Sequence, residues 1–523
     1  VTINAAGANY GIYQDAWYGS VFAKNDINMT GYATGVNGIY LGIGSVTSSH
    51  GNVILSGVTT STNTAHYGIE SSAIGVSAVN GSVTFQGAKL DTATTLANAV
   101  ANTSSGSPAP YFSIADSTLD ASAQTNGVKW TGAVTANTST GYISIRSKTP
   151  SITGTMTAYG LALLSNNQSY TLNNASNAIS SLAANIGTGS LSFTTTSVLN
   201  IGTYNSVTGI TAASVTLSAG GLTDTDDAGI TVTGSSTLAI TNATGSHDYS
   251  GVISGPIALT KSGAGTQTLS AANSYTGLTT ISAGTLRLGI AGTSINTPLG
   301  TTAAGTTISA GGTLDLNGYT LGTAEALTIN GYGVGNNGAL INSSSSTAAT
   351  YSGAITVGSA SYIGGAGTMT LSGAVGAASS GVAFIGTGSY TASNASNAFS
   401  TIATSGIGSL SIVNNRDLTI GTVNTLSGMT FTGNVTLDTV GTILVNGFTI
   451  QKNGSSESTL TLKSTQRVNL WNSSNQVIAS STAGTGKLNI IFWSESDGGN
   501  GAGTSLAGTF TTNGGHILSL IHI

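Results

Sequence analysis

The stretch Thr279-Thr-Ile-Ser-Ala-Gly284 returns letter for letter as Thr306-Thr-Ile-Ser-Ala-Gly311, 27 residues later. Thr285-Leu-Arg-Leu288 follows the first copy and, after one extra glycine, Thr313-Leu-Asp-Leu316 follows the second. Each copy holds short runs in which apolar and polar residues alternate, and a period of two marks a strand with one buried face. Ile281, Ala283, Leu286 and Leu288 fall on one face, Ser282 and Arg287 on the other. Leu314 and Leu316 stand in the same way against Asp315, Leu460 and Leu462 against Thr461, and Val468 and Leu470 against Asn469. Strands this short cannot bury an inner face alone. Successive copies must stack, and a repeat of a few tens of residues built from such strands is the signature of a solenoid.

Two further repeats extend the pattern. Gly-x-Val-x-x-x-Gly occurs at Gly51–Gly57 and Gly81–Gly87, an offset of 30. Asn174-Ala-Ser-Asn-Ala178 returns as Asn394-Ala-Ser-Asn-Ala398, Gly189-Ser-Leu-Ser192 as Gly408-Ser-Leu-Ser411, and Ile201-Gly-Thr203 as Ile420-Gly-Thr422. A block of about 40 residues is therefore duplicated across a segment that itself repeats at 27 to 30 residues. With 20 to 30 residues per coil the chain makes on the order of 20 coils. Helical patterning is almost absent: residues 94–102 and 177–186 come nearest, and both read as loop or strand.

The composition agrees. Only 6% of the 523 residues are charged, against about 25% in an ordinary globular domain. Glycine contributes 74 residues and proline 5. At 39% hydrophobic, with many β-branched residues, the chain is no disordered linker. A net charge of −5 without a basic cluster gives no footprint for nucleic acid or an anionic membrane. The absence of cysteine excludes disulfides and thiolate metal sites, and no apolar run approaches the roughly 20 residues of a membrane helix. Val1 opens in mid-strand pattern without Met or a signal peptide, so an excerpt of a longer protein is expected. The last six residues, Leu518-Ser-Leu-Ile-His-Ile523, read as the translation of a sequencing adaptor, which places the expected end of the natural frame near Ile517.

Residues 259–289, Leu-Thr-Lys-Ser-Gly-Ala-Gly-Thr-Gln-Thr-Leu-Ser-Ala-Ala-Asn-Ser-Tyr-Thr-Gly-Leu-Thr-Thr-Ile-Ser-Ala-Gly-Thr-Leu-Arg-Leu-Gly, resemble the autotransporter-associated β-strand repeat of bacterial passenger domains. The motif positions are Gly263, Gly265, Leu269, Asn273, Tyr275, Gly277, Ile281, Gly284, Leu286 and Leu288. Thr313-Leu-Asp-Leu-Asn-Gly318, Gly338-Ala-Leu-Ile-Asn342 and Tyr351-Ser-Gly-Ala-Ile-Thr356 follow the same habit. The flanks resemble the large filamentous-haemagglutinin-like exoproteins, in residues 171–216 and 391–440 and in terminal coils at 450–517 that hold Lys487-Leu-Asn-Ile-Ile-Phe-Trp493 and Thr512-Asn-Gly-Gly-His516. The resemblance implies a right-handed parallel β-helix, all-β, exported across the outer membrane of a Gram-negative bacterium. It also implies a link between the repeat and efficient passenger secretion. The expected divisions are 1–165, haemagglutinin-like coils; 166–245, coils with the first Asn-rich block; 246–360, the repeat coils; 361–517, coils with the second block; and 518–523, the adaptor. The expected role is a non-enzymatic stalk or adhesin in cell adhesion or aggregation. Its partners would be a host-cell or glycan surface or a second copy of itself, with an outer-membrane translocator on another part of the chain or on a separate protein. The alternatives are a β-helix polysaccharide hydrolase or lyase, and a pure spacer.

Candidate sites are few. Asp224, Asp226 and Asp227 on one turn can offer carboxylate oxygens to Ca²⁺, although the glycine-rich nonapeptide of calcium-binding β-helices is missing and a solvated turn is the expected reading. Asp116 and Asp120 share a strand face near Lys129 and Trp130, but four strand residues span about 13 Å, too far for a glycosidase pair. His50, His66, His247 and His516 are scattered, and no catalytic triad or cofactor motif is present. Trp471, Trp493, Tyr10, Tyr13, Trp17 and Tyr18 can stack on sugars, although core-capping is the commoner use of such rings. Lys24, Arg146 and Lys148 read as solvated positions.

Overall fold

The 27-residue repeat is one turn of a parallel ladder. In the computed structural model Thr279 pairs with Thr306, Thr280 with Thr307 and Ile281 with Ile308. The 30-residue repeat is likewise one turn, with Val53 paired to Val83 and Gly57 to Gly87. The structure describes residues 2–7, 12–14, 20–34, 38–48, 53–59, 69–87, 100–102, 112–120, 129–130, 134–136, 142–146, 151–164, 167–204, 206–224, 226–479, 486–495 and 503–522. They form a parallel β-solenoid of about 17 turns. The expected figure was nearer 20, because a mean of 20 to 30 residues per coil overlooks excursions such as the strand-free stretch between Leu288 and Thr306. The one helical element named among the described residues is a short 3-10 turn, Val334–Asn336. The segment 178–185 is a strand, and so is the described part of 94–102.

The chain divides into two compact units, Val1–Asn242 with His247–Ala258, and Ala243–Ser246 with Leu259–Ile523. In the second unit the register stacks like on like. Ile281, Ile308, Ile329 and Val357 form one inward column, and Leu286, Leu314, Leu340, Ile363 and Phe384 another. All nine are buried. At roughly 1.5–3 kcal/mol per fully buried aliphatic or aromatic side chain, these columns are the main source of cohesion. The outward column beside the first of these is Thr260, Thr280, Thr307, Thr328 and Thr356, one threonine per turn over five turns. The first unit repeats the logic with Leu161, Leu182 and Ile201 in one column and Phe193, Leu217 and Leu238 in another. An eight-stranded parallel sheet in the second unit ends on Ile517–His522, whose pairing with Leu488–Glu495 carries most of the suspected adaptor residues.

The duplicated block has a structural reason. In the first copy Asn177 is buried, accepts the Met156 N–H at 2.9 Å and donates to the Leu172 carbonyl at 3.0 Å. In the second, Asn397 accepts the Val375 N–H at 2.9 Å and donates to the Ala392 carbonyl at 2.9 Å. Asn174 and Asn394 reach back to the Thr153 and Ser372 carbonyls. Each block then leaves the parallel ladder in a small antiparallel hairpin, pairing Thr203–Tyr204 with Val207–Thr208 and Thr422–Val423 with Leu426–Ser427. Both hairpins fold back onto a glycine. A Cβ on Gly160 would lie 2.6 Å from the Tyr204 ring, and one on Gly381 would lie 2.7 Å from Val423. The equivalence therefore begins upstream of the asparagines that first reveal it.

Two positions depart from the simple alternation. Asp315, expected on the wet face, is fully buried. Its Oδ2 accepts Arg287 Nε at 2.9 Å and Ser343 Oγ at 2.7 Å, and its Oδ1 accepts the Asn317 and Ser343 N–H groups. Neighbouring turns cover it on the outside of the coil. Ala283, expected inside, is half-buried at the corner before Gly284.

The columns predict unequal costs on opposite faces of one strand. Ile308→Ala should cost about 2–4 kcal/mol, and Thr307→Ala under about 1 kcal/mol, in urea unfolding of the whole chain. Equal costs would contradict the assignment of faces.

Candidate functional site

In the repeat at 259–288 each corner turns the chain and exposes carbonyls that no strand can pair, so side chains must satisfy them. Gly263 and Gly284 sit at corners of adjacent turns with φ of 74° and 68°, the left-handed region that favours glycine. Lys261 lies between them with its side chain enclosed. Its Nζ donates to the carbonyls of Ser262 at 2.8 Å, Gly263 at 2.9 Å and Ala283 at 3.2 Å, one for each ammonium proton. A Cβ on Gly284 would lie 2.2 Å from the Gly263 oxygen and 2.7 Å from that nitrogen. Burial lowers the Lys261 ammonium to about 8. The same device recurs at Lys452, whose Nζ holds the Gly454 and Ser456 carbonyls, with Gly486 at φ 74° on the next turn.

Tyrosine provides the second corner lock. In Tyr249-Ser-Gly251 the phenol donates to the Ala228 carbonyl at 2.7 Å, and in Tyr351-Ser-Gly353 to the Glu325 carbonyl at 2.9 Å. The glycine two residues later lies against that same carbonyl: a Cβ would fall 2.1 Å from the Ala228 oxygen at Gly251 and 1.7 Å from the Glu325 oxygen at Gly353. Tyrosine and glycine are thus a single requirement. Burial pushes both phenols well above their ordinary range, with a nearby carboxyl as the lesser cause. Tyr275 instead shares a 2.7 Å hydrogen bond with Thr279, and Asn273 donates to the Pro298 carbonyl at 2.9 Å. Of the remaining motif positions, Leu269, Ile281, Leu286 and Leu288 are core, Gly265 is buried, and Gly277 is half-buried.

The carboxylates point from one turn to the next. Asp224, from the acidic cluster, accepts the Ser250 N–H at 2.6 Å and its hydroxyl at 2.8 Å, while Asp226 and Asp227 are exposed. Asp417 accepts the Thr442 N–H at 2.7 Å, and Glu457 accepts Asn489 Nδ2 at 2.8 Å. Asp438 pairs with Lys463 at 3.0 Å, and that ammonium stands 5.4 Å from the centre of the Trp493 ring. Among the described residues no group of three or more His, Asp or Glu side chains is placed to hold a metal ion.

Asp116 and Asp120 lie on the strand Phe112–Asp120, where register sets Ser82 beside Asp116 and Arg146 beside Asp120; Lys129 and Trp130 are on another strand. The side chains of Asp116, Asp120, Lys129, Trp130 and Arg146, and all of His50, His66, Lys148, Tyr10, Trp17 and Tyr18, lie outside what the structure describes. Tyr13 is exposed and stacks on Tyr40 with ring centres 5.0 Å apart. Trp471, Lys24 and His516 are exposed and His247 is half-buried. Sequence reasoning missed Lys261, Gln267 and Glu325, all fully buried. Their signal was parity, since each occupies an inward position of its alternating run.

Residues 259–288 match the family model of the passenger-associated-transport-repeat. That match and the parallel solenoid fit an autotransporter passenger repeat protein. No curated protein and no solved structure matches the chain.

The corner lock predicts that its glycine matters more than its hydroxyl. Tyr351→Phe should cost about 1 kcal/mol, one hydrogen bond, and Gly353→Ala roughly twice that or more, because the backbone must shift. Thermal melts of the two variants measure the order, and a Gly353→Ala melt equal to the unaltered chain would remove the role.

Proposed function

We infer that this chain is part of an autotransporter passenger, a non-enzymatic β-solenoid that stands at, or is released from, the surface of a Gram-negative bacterium and serves adhesion or aggregation. The single observation that carries the reading is that the matched repeat, 259–288, holds residues that lock one turn to the next, Lys261 to the Ala283 carbonyl and Asn273 to the Pro298 carbonyl. A unit of this kind suits a chain that crosses a membrane unfolded, because each turn closes on the one before it and needs no cofactor, disulfide or distant segment. The polar ladder faces and the two hairpins supply contact surface, and the partners that suit them are host-cell glycans, host-cell proteins or sister molecules. An outer-membrane translocator, carried on another part of the polypeptide or separate from it, would complete the export route.

The test is direct. Purified chain, fluorescently labelled, should bind cultured epithelial cells or a glycan array saturably, or should self-associate in sedimentation velocity, and should release no reducing ends from a polysaccharide panel. Absence of all binding would leave a spacer, and release of reducing ends would overturn the non-enzymatic reading.

A further inference from the structure

Glu325 lies within the run Thr323-Ala-Glu-Ala-Leu-Thr-Ile329, whose inward positions are Thr323, Glu325, Leu327 and Ile329, all buried. Parity therefore delivers a carboxyl to the interior of the second unit. Its Oε1 accepts the Thr306 hydroxyl, from the turn before, at 2.5 Å, and its Oε2 has no hydrogen-bond partner. Tyr351, on the turn after, is bonded to the main-chain carbonyl of Glu325 and leaves the carboxyl alone. Tyr275 is occupied by Thr279. Among the described residues these two phenols are the titratable groups that face the carboxyl, and burial raises both, with Glu325 adding to the rise. Among the described residues no cation contributes to its electrostatics: burial dominates, and the Thr306 hydroxyl opposes it. An ionised carboxylate held by one hydrogen bond in an apolar interior costs several kcal/mol, and the neutral acid far less.

We propose that closing the solenoid around Glu325 takes up one proton, so that the turns carrying Thr306–Ile308, Leu327–Gly331 and Ala349–Tyr351 are latched in acid and released in alkali. The sign follows from burial, which raises the carboxyl from 4.5 to about 8. Between those values the folded turn keeps a proton that the open chain has lost, so stability is full below the lower value and falls as pH rises toward the upper one. Lys261 acts in the opposite direction and in another window. Its ammonium is lowered from 10.5 to about 8, so its contribution to stability rises above pH 8. The neutral range is thus governed, of these two groups, by Glu325. The latch does not depend on what the passenger binds. For a chain that folds outside the cell, it makes the external medium the reservoir of the proton.

Hydrogen exchange on the full chain tests it, between about pH 5.5 and 8.5, with rates corrected for intrinsic chemistry. Opening constants for amides of the three strands should rise about tenfold per pH unit up to about pH 7 and level off as pH passes about 8. Those of the strand Val435–Thr439 should stay level, and Glu325→Gln should flatten the response of the three strands. A level response of these strands in the unaltered chain, or a slope that survives Glu325→Gln, would overturn the proposal. The comparison of strands within the unaltered chain decides the matter even if the variant does not fold.

Discussion

Parallel, in-register stacking of one turn on the next is the constraint on which the rest depends. Each residue lies about 4.8 Å from its counterpart in the neighbouring turn, so whatever property it has is repeated at close range. Apolar residues gain from this, as the Ile281–Ile308–Ile329 column does. Hydroxyls gain as well, since a threonine ladder covers the backbone without charge. Like charges would lose about 1 kcal/mol at such spacing even in water. Two ion pairs among the described residues obey the rule: Arg287 stacks on Asp315 and Lys463 on Asp438, opposite signs on adjacent turns. A charged fraction of 6% is what this geometry leaves room for.

Stacking satisfies the strands and leaves the corners. There the chain uses few devices and repeats them. Lysine caps corner carbonyls at 261 and 452, tyrosine anchors to a carbonyl at 249 and 351, and asparagine bridges a donor and an acceptor at 177 and 397. The lysine and tyrosine devices each bring a glycine with them, because the capped carbonyl occupies space a Cβ would need. The repeat motif is therefore a description of corner chemistry as much as of strands.

This explains what could be read in advance. The repeats at 27 and 30 residues gave the turn, and alternation gave the inward columns, because both depend only on period. Asp315 was misplaced because its cover comes from Arg287 and Ser343, each 28 residues away, and pairwise closure of that kind leaves no local pattern. Glu325 was passed over for the opposite reason: parity placed it inside, and its charge suggested outside. The acidic cluster at 224–227 looked like one site, yet Asp224 is tied to Ser250 across 26 residues. Ligand and partner leave no comparable trace, since a solenoid of ladders offers the same polar face whatever it meets.

The central claim is the register, and cross-linking tests it most directly, because the chain contains no cysteine. Thr280→Cys with Thr307→Cys places two thiols on adjacent rungs, within the Cα separation of about 4.4–6.8 Å that a disulfide requires. Thr280→Cys with Thr328→Cys skips a rung and doubles the separation to about 9.6 Å. Mild oxidation of the folded chain should close the first pair and leave the second reduced. Closure of the second pair, or failure of the first in folded protein, would contradict the stacking from which the rest of the structure follows.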